Sequence, residues 1–251
     1  MIATLVIGRG GSTGLPRKNV MNMVGRPLMA YPILAAQNSK EAYDVYLSTD
    51  DEEIKKVGAS LGAKLIQRPD YLATKEALAE DAFVHGFEYI CESLKETPEF
   101  IVLLFANGAT VLPKYIDEAV DILRKNPDID SVVTASCYNM WSPTRARKID
   151  EHGMLVPFID PSYFGDSITC DRGSQGDSWY ADCSMFVVRP KCMRLREGVP
   201  PFRWIGKKVH PIQQWGGLDI DYKWQVPMVD FWLREHGFTE TKLPYEVRNN
   251  V

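Results

Sequence analysis

The chain has 251 residues, 45% of them hydrophobic and 25% charged, the composition of a globular protein rather than of a disordered or fibrous one. A formal charge of -4 and a pI of about 5.7 exclude the broadly basic surface of a dedicated nucleic-acid binder, so any anion site must be local. No stretch approaches the roughly 18 apolar residues that span a bilayer and no signal-peptide pattern opens the sequence, so Cys91, Cys137, Cys170, Cys183 and Cys192, with no C-x-x-C pair, read as reduced thiols of a cytoplasmic protein.

Short apolar runs at residues 4–7, 45–48, 64–66, 100–105, 131–136 and 185–188 alternate with segments of helical period, which predicts an α/β layered fold with a largely parallel sheet. Residues 27–38 open on a helix-start proline and carry Pro32, where a kink is expected. Thr49-Asp50-Asp51-Glu52-Glu53 supplies a cap and first-turn acids for a helix ending near Gly62. Further helices are expected over 77–94, 113–124 and 222–236, the last disturbed at Pro227. Residues 141–175 are rich in Pro, Gly, Asp and aromatics with little period, which predicts an arm or lid, and 200–217 reads as a second irregular stretch. His85 reads as a satisfied, partly buried helix residue, and Trp204, Trp215, Trp224 and Trp232 as core or subunit contacts.

Directly behind the first strand comes Gly8-Arg9-Gly10-Gly11-Ser12-Thr13-Gly14-Leu15-Pro16-Arg17-Lys18-Asn19. Gly10, Gly11 and Gly14 lack side chains and can adopt positive φ, so backbone N–H groups there can approach phosphate oxygens, while Arg9, Arg17 and Lys18 neutralise charge. The run is neither a Walker A loop, since Leu15-Pro16 follows Gly14, nor a dinucleotide fingerprint, being one residue too long. Far downstream, Leu218-Asp219-Ile220-Asp221 in an extended segment puts two carboxylates on one side, a set that suits Mg2+, whose preferred ligands are oxygens. No Ser/His/Asp or Cys/His arrangement emerges from the spacing.

The loop, with Gly25-Arg26-Pro27-Leu28-Met29-Ala30-Tyr31 after it, resembles the opening signature of the N-acylneuraminate cytidylyltransferase family. Weaker matches follow in family order: Leu47 to Ile54, Arg68-Pro69, Leu72-Ala73-Thr74, Asp81 with His85, Lys148 to Gly153, and Asp219-Ile220-Asp221. The resemblance implies one three-layer α/β/α Rossmann-like nucleotidyltransferase domain over 1–251, with a mostly parallel mixed sheet. It implies an arm at about 141–180 that mediates a homodimer or a dimer of dimers. The activity implied is Mg2+-dependent transfer of CMP from CTP to an acidic acceptor such as a sialic-acid-like nonulosonic acid, releasing pyrophosphate, with no nucleic-acid or membrane partner.

Carried over by position, Arg9, Lys18 and Asp221 are the catalytic candidates. Arg9, Gly10, Gly11, Ser12, Thr13, Lys18, Asn19 and Arg68 are the nucleotide-binding ones, and Asp219 and Asp221 the metal ligands. Where the family has Lys, this chain has Thr13, and Lys75 is a candidate replacement cation within Lys75-Glu76-Ala77-Leu78-Ala79, which departs from a family D-T-A-S-S. The acceptor candidates are Phe105, Asn107, Arg145, Lys148, Arg172 and Gln175. Phe105 to Val111 replaces a family Q-P-T-S-P-L-R that lines the acceptor pocket, so a changed acceptor is expected. Two alternatives therefore stand beside the first: activation of another phosphorylated or carboxylated metabolite, and a catalytically silent nucleotide-binding homologue.

Overall fold

Every residue of β1 (Ile2–Ile7) is buried in the computed structural model, which describes residues 1–42, 44–165 and 167–245. A strand covered on both faces has to be apolar on both, which is why Ile2, Ala3, Leu5, Val6 and Ile7 form a near-continuous run. After β1 come a short ribbon of β2 (Asn22–Met23) and β3 (Arg26–Pro27), then α1 (Ala30–Gln37), β4 (Asp44–Thr49), α2 (Glu52–Ser60) and β5 (Lys64–Gln67). The middle of the chain supplies α3 (Ala79–Leu94), β6 (Phe100–Phe105), α4 (Pro113–Lys125) and β7 (Ser131–Cys137). A hairpin of β8 (Arg147–Ile149) and β9 (Leu155–Pro157) precedes β10 (Trp179–Val188), α5 (Pro190–Leu195), β11 (Val209–Gln214) and α6 (Val226–Glu235).

The described residues build a seven-stranded sheet in the order β11-β7-β10-β6-β1-β4-β5, parallel except for β10, which runs antiparallel to β6 and β7. Alternation along the strands feeds two cores. Ile2, Val6, Val102 and Leu104 pack with Ile33 of α1, Ile54 of α2, Ile116 of α4 and Trp232 of α6. Ala3, Leu5, Ile101 and Leu103 pack with Phe83 and Phe87 of α3 and Met193 of α5. The result is the expected three-layer α/β/α domain with a mixed, mostly parallel sheet. Asp51 caps α2 as its sequence predicts, its carboxylate accepting from Glu53 N–H and Ile54 N–H, both at 2.9 Å.

Several local expectations are corrected. Pro32 does not kink α1, because the helix begins at Ala30 and Pro32 falls in the first turn, where an amide would have no intrahelical acceptor. Pro227 likewise starts α6 instead of disturbing it. The stretch 200–217 contains β11, an edge strand, where the N–H that Pro211 lacks is tolerated. The expected strand at 185–188 is only the second half of β10, which shifts register against β7 between Ala181 and Phe186. The excursion ends at residue 178 and carries the β8–β9 hairpin, with Ile149, Leu155 and Phe158 at 74%, 72% and 63% exposed.

Candidate active site

In open α/β sheets a ligand crevice forms beyond the carboxyl ends of the strands, and here β1 and β6 end on one cleft of roughly 350 Å3, with Arg68, the residue after β5, beside them. It is lined by Arg9, Ser12, Thr13, Lys18, Asn19, Arg68, Phe105, Asn107, Asp219 and Asp221, which brings the glycine loop and the distant carboxylates together. The loop is tied down by its neighbours: Gly8 N–H donates to Ser48 O at 3.2 Å, Gly10 N–H to Asp50 Oδ1 at 3.3 Å, and Arg17 pairs with Glu53 of α2. None of Gly10, Gly11 and Gly14 takes positive φ. Arg17 does, at 57°, where the chain turns into the short helical turn Lys18–Val20.

Two polar side chains are buried at the inner end of the loop. Asn19, 4% exposed, donates from Nδ2 to Arg9 O at 3.1 Å, while its Oδ1 has no hydrogen-bond partner among the described residues. Arg68, 3% exposed, donates from Nη2 to Ser48 O at 2.7 Å and from Nε to Ser48 Oγ at 3.3 Å. Burial pulls its guanidinium down to about 10, with Asp50 opposing and Arg9 adding to the shift. Arg9 itself donates to Thr74 O, which fastens the loop to the stretch before α3.

Across the cleft, burial raises Asp219 to about 6, Asp221 adds like-charge repulsion, and Lys18 and Asn107 oppose the rise. Lys18 Nζ lies 2.5 Å from Asp221 Oδ1. Asn107 donates to Asp219 Oδ2 at 3.0 Å and to Ile220 O at 2.9 Å, and Ile220 N–H donates back to Asn107 O at 3.0 Å. Asn107 was expected in an acceptor pocket; it lines the cleft, but its amide is engaged in holding the carboxylate segment. Burial pushes the Cys183 thiol well above its ordinary value, with Asp219, Asp182 and Asp221 adding to it, so it offers no thiolate to the cleft.

The other candidates lie elsewhere. Gly10 and Gly11 are on the loop but outside the cleft lining, and Lys75 is exposed and outside it too. Arg145 and Gln175 face each other on the arm, Arg145 Nε donating to Gln175 Oε1 at 3.0 Å, in an open depression shared with Thr144 and Arg147. Lys148 is exposed on β8, and the side chain of Arg172 lies outside the described residues. His85 is not satisfied as expected: its Nδ1 is buried with no partner among the described residues, and burial, then Arg68, lowers its pKa. Sequence reasoning missed Tyr222, Leu72 and Ala82 as lining residues; Tyr222 adjoins Asp221, and the other two are hidden in ordinary apolar patterns.

Comparison with known proteins adds the following. Residues 3–145 match the sequence model of the cytidylyltransferase family. An N-acylneuraminate cytidylyltransferase of Oncorhynchus mykiss is 28% identical over 198 residues, 71% of this chain and 44% of that protein. A pseudaminic acid cytidylyltransferase of Campylobacter jejuni is 30% identical over 159 residues, 63% of this chain and 68% of that protein. This chain spans less than half the length of the first of these relatives. Among solved structures, a CMP:2-keto-3-deoxy-manno-octonic acid synthetase complexed with CTP superposes with a TM-score of 0.67 at 13% identity, covering 94% of this chain and 99% of that one. A 4-diphosphocytidyl-2C-methyl-D-erythritol synthase gives 0.61 at 12% identity, covering 92% and 97%. At such identities these two establish a shared fold.

Proposed function

The chain belongs to the cytidylyltransferase family, and from that premise we propose that it transfers CMP from CTP to an acidic small molecule, most simply a sialic-acid-like nonulosonic acid, releasing pyrophosphate. The observation that carries this reading is one cleft holding both the cationic glycine loop and the Asp219/Asp221 pair. The acceptor's hydroxyl oxygen forms a bond to the α-phosphorus and its proton passes to solvent, while the bond from the α-phosphorus to the oxygen bridging to the β-phosphate breaks and its electron pair leaves with pyrophosphate. Such transfer needs in-line positioning and charge neutralisation rather than a protein nucleophile. Arg9, Ser12 and Lys18 would meet the phosphates, and the unpartnered Asn19 Oδ1 is an acceptor for an exocyclic amine such as that of cytosine.

The donor set at Asp219 and Asp221 fits Mg2+. It is all oxygen, its two carboxylates face the single ammonium of Lys18 on Asp221, and no group of three or more His, Cys, Asp or Glu that could cage a metal without substrate oxygens occurs among the described residues. Mg2+ held there would neutralise charge on the transferring phosphate. The arm supports a dimer: Ile149 and Leu155, cross-strand partners in the hairpin, and Phe158 just beyond it are exposed apolar side chains that a second copy of the chain could cover. No helix among the described residues is long and apolar enough to cross a membrane, and a cytoplasmic location is part of the proposal.

Phe105 supports a second acceptor. It lines the cleft with Leu72, Leu78 and Ala82, a wall without hydrogen-bonding side chains, which favours an acceptor with fewer hydroxyls than a sialic acid. Pyrophosphate release from CTP and Mg2+ with a panel of acidic acceptors, followed by mass detection of the CMP conjugate, tests both readings. Release with one acceptor names it. Nucleotide binding without release from any acceptor would point instead to a silent homologue.

A further inference from the structure

The segment carrying Asp219 and Asp221 lies in no helix or strand, yet a buried polar cluster holds its backbone from the sheet side. At the centre is Asp182, 5% exposed, on the part of β10 where the register against β7 shifts and Cys183 turns the chain with a φ of 60°. Its Oδ1 accepts from Thr134 Oγ1 at 2.6 Å and from Ser184 N–H at 3.1 Å. Its Oδ2 accepts from Ser136 Oγ and Gln214 Nε2, both at 2.8 Å.

A carboxylate only accepts, so it fixes the direction of every hydroxyl around it. Ser136 has one proton, and with that proton on Asp182 the oxygen is free to accept, which it does from Gly217 N–H at 2.9 Å. Thr134 repeats the pattern, donating to Asp182 and accepting from Met185 N–H at 3.1 Å. Thr110 Oγ1 takes the next amide, Leu218 N–H, at 3.0 Å, and Tyr138 OH donates to Gly217 O at 2.8 Å. A Cβ on Gly217 would lie 2.4 Å from Asp182 Oδ2, so the segment rests on the cluster as closely as bare backbone allows.

We propose that Asp182 is a positioning residue: by orienting the Ser136 hydroxyl to accept from Gly217, it sets where Asp219 and Asp221 stand in the cleft. Its kinetic consequence rests on the cytidylyltransferase reading; its structural consequence does not. An Asn at 182 would turn an NH2 group toward one of the two donor pairs and break that order.

The test compares Asp182→Asn and Ser136→Ala with Ser39→Ala, which deletes an equally buried hydroxyl bonded to Asp117 at the far end of α1. Amide hydrogen exchange across 215–221 should quicken about tenfold in the first two, with β1 unchanged, and kcat should fall about tenfold while KM for CTP stays within about twofold. Ser39→Ala should leave both readouts alone. If Asp182→Asn does not fold, Ser136→Ala decides. Wild-type exchange at 215–221 in folded Ser136→Ala, or equal quickening in Ser39→Ala, overturns the proposal. Faster exchange in a protein whose wild type turns over no acceptor supports the positioning role and removes the catalytic reading.

Discussion

The two halves of the cleft are held by different means. The glycine loop hangs from a few contacts, Gly8 on Ser48, Gly10 on Asp50, Arg9 on Thr74 and Arg17 on Glu53, with Lys18 paired to Asp221 across the cleft, and at its middle a Cβ on Gly11 would meet nothing within 4 Å. The carboxylate segment is fastened residue by residue to Ser136, Thr110, Asn107 and, behind them, Asp182. One side is built to adapt to a flexible polyphosphate, and the other to keep two like charges together at a fixed place. Confining Asp219 beside Asp221 costs free energy, and a dense buried network is what makes that confinement persist.

The sharpest way to separate the halves is to remove one carboxylate and leave the loop intact. Asp221→Asn should lower pyrophosphate release by about two to three powers of ten, the loss typical of a group that stabilises developing charge. CTP affinity, measured by calorimetry without metal, should change by less than about threefold, since the loop and Arg68 supply most of the binding. Unchanged turnover would take Asp221 out of the reaction. A parallel loss of CTP affinity would mean that the two halves act as one.

The same difference governs what could be read in the sequence. The loop was legible because its residues are contiguous and follow an apolar strand. The Asp219/Asp221 pair was legible as a spacing, and the alternation of apolar runs and helical periods indicated the layered fold. The supports were not legible, because they are non-local: Asn107 and Asp219 are 112 positions apart, and Asp182 lies 46 positions from Ser136. β11 escaped notice because Val209, His210 and Pro211 are exposed on an edge strand and make no apolar pattern. The left-handed turn was expected at a glycine and fell on Arg17, the residue that leads into the helical turn Lys18–Val20.

A smaller perturbation asks which half yields when they are forced apart. They meet where a Cβ on Gly14 would lie 2.5 Å from Asp221 O, whereas one on Gly11 would have nothing within 4 Å. Overpacking costs about 1–3 kcal/mol and is relieved by whichever side is softer. The loop should move, so Gly14→Ala should raise KM for CTP about fivefold to tenfold and leave the Mg2+ concentration for half-maximal rate unmoved. Gly11→Ala should behave as wild type. A shifted Mg2+ requirement with normal KM would reverse the ranking of stiffness.

The smallest effect concerns stability, and it follows from the cost of holding Asp219 in place. Its folded value of about 6 lies above the ordinary 3.8, so the folded state binds the proton more tightly than the unfolded state does. The protonated group's stabilisation is fully present below pH 3.8, and it is lost as pH rises toward and through 6. Asp219→Asn mimics the neutral form and can still accept from Asn107. With divalent metal chelated, it should therefore melt about 2–5 °C above wild type at pH 7.5, and the gap should close by pH 4. Turnover should be lost in the same variant, since groups confined for function are commonly where stability is given up. A variant that melts lower than wild type at pH 7.5, or a gap that does not change with pH, would mean that the cluster beneath the segment holds Asp219 as a comfortable anion, and that the carboxylate half stores no strain for a cation to relieve.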